Sequence, residues 1–308
     1  MIWRLIQAVL AAAFVAVFGL WAWRYMETRE PPALAHARAA TLAASCAAAP
    51  EFAEAAAANR TSLTTAPWSA FGRSETGWEI YAPLTGHEIR TSCPPDAAGF
   101  AKSLAAWQAG RGLKADGVMD EATLKTLRTV WLLRRPFVVQ TRHGACPLPP
   151  PPDSLTWLRP EEGFEGKRVQ LLDRALAAYR EMIAAARSQA PALDRDHRLL
   201  TIFSGYRDPA ADDQRCLETA DCGSPARANC SAHRTGLAVD LYLGSAPGYA
   251  QESSADPNRL FQTRTPAYRW LTANAGRFGF VNYPFEPWHW EWAARGPDDP
   301  SGAEPPAR

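Results

Sequence analysis

Net charge is almost absent from this 308-residue chain, where 33 lysines and arginines face 32 aspartates and glutamates to leave +1. A surface with no excess of one sign is not built to grip a polyanion, so nothing points to nucleic acid as a partner. Also missing is any CxxC pair among the six cysteines, Cys46, Cys93, Cys146, Cys216, Cys222 and Cys230. An even count without metal-ligand spacing fits disulfides, which requires that the chain be exported to an oxidising compartment. Histidine is scarce as well, six in all, so an imidazole site has few residues to draw on.

What is present first is an apolar run, Leu5 to Trp23, broken only by Gln7 and flanked by Arg4 and Arg24. Its length is near the roughly 20 residues of a bilayer-spanning helix. The small-x-small site Ala33-Leu34-Ala35 lies beyond Arg24, Glu27, Arg29 and Glu30, so an uncleaved anchor over 1–26 is favoured over a cleaved signal peptide. Arg4 and the amino terminus argue for an N-in orientation, which makes this a single-pass membrane protein with the remainder in the periplasm or extracytoplasmic space.

Residues 27–66 are Ala-rich with scattered charge and little to bury, and are expected to form a helical or loose stalk. Residues 67–146 form a second unit. Its first part, Trp68 to Pro95, is rich in Trp, Tyr, Gly and Pro and reads as short strands and turns. Phe100, Leu104 and Trp107 then have helical spacing up to the break at Gly110-Arg111-Gly112. Asp116-Gly117 makes a turn, and Asp120 caps a second helix carrying Thr123, Leu124, Leu127, Val130 and Trp131. The succession Trp107-Gln108, Gly112-Leu113, Asp116-Gly117-Val118, Thr123 and a closing Leu resembles the peptidoglycan-binding-domain-1-like helical module. Residues 147–153, Pro-Leu-Pro-Pro-Pro-Pro-Asp, read as a stiff extended linker.

A last domain is expected over 154–296. Val169, Leu172, Leu176, Tyr179, Ile183 and Ala186 fall on one stripe of a helix of about five turns. Leu199 to Phe203 reads as a buried strand that delivers Ser204-Gly205-Tyr206-Arg207 at its end. Residues 208–230 are polar and loop-like. Ala238 to Leu243 alternates as a strand, with Val239, Leu241 and Leu243 on one face and Asp240 on the other. Thr265 and Pro266 open a helix that Gly279 stops, and Phe280 to Tyr283 is the next strand. From Pro297 to 308 the chain reads as a disordered tail.

Two histidines stand in dense Gly, Trp and carboxylate contexts: His233, in Ser231-Ala232-His233-Arg234-Thr235-Gly236-Leu237-Ala238-Val239-Asp240, and His289, in Glu286-Pro287-Trp288-His289. A catalytic zinc takes three protein ligands and keeps a position for water. His233, Asp240 and His289 supply such a set, and the turn at Gly236 brings the chain back to the same ion. Glu286, three residues before His289, is placed as a non-ligand base that deprotonates water and returns the proton to a leaving nitrogen. The exchange of roles, with Glu286 as ligand and Asp240 as base, is chemically open.

Ser-x-His-x-x-Gly-x-Ala-x-Asp followed by Glu-x-Trp-His, with Ser-Gly-Tyr-Arg upstream, resembles the zinc D-alanyl-D-alanine carboxypeptidases of the VanY type, in the group that includes lysostaphin-like peptidases and the hedgehog domain. The resemblance spans Phe203 to Trp292. It implies an α+β fold in which a small antiparallel sheet with flanking helices carries Zn2+. It implies His233, Asp240 and His289 as ligands and Glu286 as general base and acid. Arg207 would bind substrate through a carbonyl or the terminal carboxylate, Ser231 would hydrogen-bond the peptide, and Gln214 would do likewise. The implied activity is removal of the terminal D-Ala from peptidoglycan stem peptides by metal-activated water. The alternatives are an endopeptidase of the same fold and, less favoured, a non-catalytic wall-binding protein. The loop from Asp208 to Asn229 departs from the commoner family form. Its three local cysteines, counting Cys230, leave one over, for which Cys146 is the expected partner, with Cys46 and Cys93 pairing elsewhere.

Overall fold

A computed structural model describes residues 32–69, 71–142, 144–219 and 230–293. Among them no helix is long and apolar enough to cross a membrane. The Leu5–Trp23 run expected as an anchor and the tail from Pro297 lie outside the described residues.

The Ala-rich segment expected as a stalk folds back on the unit that follows it. Helices Pro32–Ala47 and Ala53–Thr65 both pack on helix Ala98–Ala109. Ala55 and Ala56 are buried, and their small side chains permit close approach. Asn59 is fully buried, with its amide donating to Gly117 O at 2.8 Å and its carbonyl accepting from Met119 N at 2.7 Å. A Cys46–Cys93 disulfide closes this arrangement. Composition alone hides it, because alanine carries little hydrophobic signal yet packs well.

Residues expected as strands and turns include a two-residue pair, β1 (Pro67–Trp68) with β2 (Glu75–Thr76), but also a helix, Ala82–Glu88, whose Leu84, Thr85 and Gly86 are buried. The second helix of the unit runs Glu121–Leu133, and the Asp120 side chain accepts from Thr123 N at 2.8 Å as its cap. A short helix, Pro136–Thr141, leads out of the unit.

Strands β3 (Leu155–Trp157) and β4 (Gln170–Leu172) pair antiparallel and lead into helix Asp173–Gln189. The expected helical stripe therefore starts later than Val169. Buried Val169 and Leu171 alternate instead on the strand segment, while Leu176, Tyr179, Ile183 and Ala186 hold the helix face. Strands β5 (Ile202–Ser204), β6 (Ala238–Leu241), β7 (Phe280–Tyr283) and β8 (Glu286–Trp292) form an antiparallel sheet in the order β5-β6-β8-β7. Its architecture is α+β.

Two local readings change. The polar stretch expected as loop contains helix Pro209–Thr219, opened by Asp208, whose carboxylate accepts from Ala210 N at 2.9 Å ahead of Pro209 at the first turn. Helix Asp256–Thr263 precedes the expected helix Pro266–Asn274, where Thr265 caps Tyr268 N at 3.2 Å.

The upstream unit is docked on the sheet through charge buried at the seam. Arg259 is fully buried and donates to Glu75 Oε1 at 2.7 Å, Tyr81 Oη at 2.5 Å and Phe285 O at 2.8 Å. Tyr81 in turn donates to Glu75 Oε2 at 2.6 Å. Every charged group there has a partner, which is the condition under which buried charge is tolerated. Phe71 packs against Tyr283 and Phe285 with ring centroids 5.8 and 5.5 Å apart.

Candidate metal centre

The sheet brings two distant motifs into one place. Asp240 on β6 is register partner to His289 on β8 and to Ser204 on β5. His233 sits in a single 3-10 turn, Ala232–Thr235, whose start is capped by Ser231 Oγ accepting from His233 N at 3.2 Å. The chain then reverses at Gly236, with φ at +68°, and a side chain there would meet Leu155 and Leu172. That reversal lets His233 and Asp240 converge.

Donor atoms of His233, Asp240 and His289 all lie within 4.8 Å of one another, and the three residues are buried. His233 Nε2 is 3.2 Å from Asp240 Oδ2, and His289 Nδ1 is 2.9 Å from Asp240 Oδ1. The other nitrogen of each ring is already engaged. His233 Nδ1 lies 2.8 Å from Gly205 O, and since a carbonyl only accepts, Nδ1 carries the proton and Nε2 is free to ligate. Gly205 has no alternative here, because a Cβ would come within 2.5 Å of Val169 Cγ1. His289 Nε2 faces Glu291 Oε1 at 3.4 Å, which leaves Nδ1 toward Asp240. Two imidazoles oriented by outward hydrogen bonds and one carboxylate, converging at tetrahedral-ligand spacing, fit a zinc ion.

The electrostatics agree with that donor set. Burial opposes ionisation of Asp240, but His233 and His289 hold its carboxyl far below the usual range. Burial pushes the His233 imidazole down. It also works against the charged form of His289, yet hydrogen bonds to Asp240 and Glu291 raise that group to about 9. Metal binding at this cluster would require His289 Nδ1 to be free of its proton. Glu286, at the start of β8, has its Oε2 4.0 Å from His289 Nδ1, and burial pushes its pKa up.

Around this centre runs a cleft of about 630 Å³ whose lining includes Arg135, Lys167, Arg207, Ser231, Glu252 and Glu286. Arg207 Nη2 donates to Ser231 Oγ at 2.9 Å, so these two expected substrate-binding residues are brought together at the rim. Gln214 is not brought in. It is exposed on helix Pro209–Thr219, donates to Glu218 Oε1 at 2.9 Å and does not line the cleft. A Cys146–Cys230 disulfide fixes the residue next to Ser231, as expected for Cys146. Cys222 lies outside the described residues.

Sequence reasoning missed the layer behind the histidines. Arg135 donates to Glu291 through Nε at 2.7 Å and Nη2 at 2.5 Å, and Phe137 N donates to Glu291 Oε2 at 3.0 Å. Burial would raise the Glu291 pKa, but Arg135 and His289 hold it down to about 2. One signal was available for Glu291: on a strand, residue i+2 shares the face of residue i, so it must lie beside His289. No local signal marks Arg135, whose partner is 156 residues away.

An antiparallel sheet carrying a His, Asp, His cluster beside a partly buried glutamate in a cleft defines a metallopeptidase type of site. Residues 168–295 match the family model for VanY, D-alanyl-D-alanine carboxypeptidase. Over this segment the chain is similar to the D-alanyl-D-alanine carboxypeptidases of that family. No curated protein matches the chain significantly. Among solved structures, the chain is similar to a mutant of the vancomycin-resistance D,D-pentapeptidase VanY, from a VanB-type resistance cassette, in complex with Zn(II). Identity is 22%, the match covers 47% of this chain and 83% of that one, and the TM-score is 0.28.

Proposed function

We propose that this protein removes the terminal D-alanine from peptidoglycan stem peptides, held at the outer face of the membrane by its N-terminal apolar segment. The observation that carries the reading is the convergence of His233, Asp240 and His289 donor atoms within 4.8 Å, with the Glu286 carboxylate 4.0 Å from one of them. His233 Nε2, His289 Nδ1 and an Asp240 oxygen would hold zinc, which when bound supplies Lewis acidity to water and to the scissile carbonyl.

The remaining steps belong to the chain's own side chains. Glu286 takes a proton from the attacking water at Oε2 and returns it to the leaving amine nitrogen. Its raised pKa suits both halves of that transfer, since a base closer to neutrality also serves as an acid. Arg207 presents a fork of donors to the substrate carboxylate or carbonyl, and Ser231 holds that fork in place. Lys167 adds a further cation to the cleft wall beside Arg207 and Arg135, which favours a substrate ending in a carboxylate over an internal peptide bond. The upstream unit, 67–146, would keep the enzyme on its polymer.

The test is mass analysis of defined muropeptides incubated with the soluble portion, with and without chelator. Loss of one D-alanine from a pentapeptide, abolished by chelator and in Glu286→Gln, is the expected result. Cleavage only at an internal stem or cross-bridge bond would establish an endopeptidase instead. Binding to peptidoglycan with no cleavage by zinc-loaded protein would leave a wall-binding protein.

A further inference from the structure

The residues that secure His289 do not all come from the matched domain. Arg135 lies in the upstream half of the chain, at the start of helix Pro136–Thr141, outside residues 168–295. Its guanidinium makes two contacts to Glu291 Oε1, and the helix's first turn contributes Phe137 N to Glu291 Oε2. The same guanidinium stacks 3.9 Å over the Tyr283 ring, which stands edge-on to His289 with centroids 6.0 Å apart. Both Arg135 and Glu291 are buried.

We propose that Arg135 is a positioning residue for the metal centre, supplied to the peptidase domain by the upstream unit and acting through Glu291 on His289. The carboxylate has four hydrogen-bonding directions. Arg135 holds Oε1 through two nitrogens and Phe137 N holds Oε2, so the carboxylate is pinned from both ends with Oε1 kept 3.4 Å from His289 Nε2. That restrains the rotation of the ring and keeps Nδ1 toward Asp240, where it joins the donor cluster with His233. Without Arg135, Glu291 is left as a bare buried carboxylate and turns to whatever donor it finds, and the ring turns with it. A hydrogen-bonded carboxylate behind a ligating imidazole is also a known determinant of metal affinity. The peptidase domain therefore lacks one part of its own metal-holding apparatus, and the upstream unit provides it.

The proposal rests on the reading of His233, Asp240 and His289 as ligands, and the experiment separates the two. Zinc dissociation constants are measured on the whole chain by competition with a chromophoric chelator, with folding monitored by circular dichroism. Wild type should take one zinc and His289→Ala should lose it. If wild type takes none, the ligand assignment itself fails. Given that binding, Arg135→Lys, which keeps the charge but not the fork, and the near-isosteric Glu291→Gln should each fold and weaken zinc about 10-fold or more. The double variant should be no worse than about the weaker single one, because the two residues act in one chain of contacts. Folded single variants that bind zinc within about twofold of wild type would overturn the proposal. Failure of both variants to fold, with no recovery on adding zinc, would overturn it too, by assigning the pair to the docking of the two units alone.

Discussion

The inner site and its supports are written differently in the chain. His233 and Asp240 fall in one short motif and Glu286 and His289 in another, and the pairing of Asp240 with His289 on neighbouring strands brings the two together. The groups that hold them in place come from elsewhere. Arg135 reaches Glu291 across 156 residues, and Glu75 reaches Arg259 across 184. Arg259 then holds Phe285 O, the backbone group directly before Glu286. Chemistry here is local and support is long-range. Changes to the first should alter turnover or metal binding at constant stability, and changes to the second should alter stability as well.

The sharpest contrast lies in two substitutions. Glu286→Gln keeps the side-chain volume and removes the proposed base, so kcat should fall by about 10²–10⁴, while the thermal midpoint of the zinc-loaded protein stays within a degree or two, about the span of 0.5 kcal/mol at this size. Arg259→Ala touches no substrate, yet strands Glu75 in a buried seam and frees Phe285 O. It should lower stability by about 3–5 kcal/mol in urea unfolding. If Arg259→Ala unfolds at the wild-type midpoint and only kcat suffers, the division between the two regions collapses.

The Cys146–Cys230 disulfide joins the supports to the site, since it fixes the neighbour of Ser231. Cys146→Ser with Cys230→Ser should cost about 2–4 kcal/mol and raise KM more than it lowers kcat, because Ser231 and Arg207 lose a fixed base. An unchanged KM would place the disulfide among purely structural links.

Smaller effects belong to each unit separately. Asp120→Ala in the upstream unit and Thr265→Ala beside the sheet each delete a helix cap and should cost about 1 kcal/mol. Their sum in the double variant would show two caps too far apart to couple, and a departure of more than about 0.5 kcal/mol would show the units to be more tightly linked than the seam suggests.

The smallest effect is a pH dependence. Burial works against ionisation of Glu162, but the Arg180 guanidinium and Arg159 N hold its pKa below the usual 4.5. The folded value is the lower one, so the contribution is present above pH 4.5 and lost as pH falls through the folded value. Since Arg180 is about a third exposed, the contribution is expected at under about 1 kcal/mol. Arg180→Gln should flatten that part of the acid-unfolding curve, and an identical curve would show the pair to be inert.

Legibility in the sequence follows the same division. The two motifs that carry His233, Asp240 and His289, the strand at Ala238, the cap at Asp120 and the helix opened by Thr265 were readable because each depends on neighbours a few residues apart. Helix Pro209–Thr219 was not, since its polar composition suggests a loop until Asp208 and Pro209 are taken together as a start signal. The burial of Asn59 was not either, because an asparagine in an Ala-rich run looks solvated until Gly117 O and Met119 N arrive from another segment. Arg135 and Glu75 read as ordinary surface charges, and only the fold reveals that their partners are buried.

The long-range placement of those charges has a consequence for how the chain matures. Synthesis runs from the amino terminus, and Glu75, Tyr81 and Arg135 all emerge well before Arg259, and Arg259 before Glu291. Until β8 is made, the upstream unit exposes a carboxylate and a guanidinium that its finished form must bury. A chain cut short before Glu291 would keep Arg135 unmatched, and one cut before Arg259 would keep Glu75 unmatched as well. The buried contacts of the first half are thus completed only when the last strand is in place.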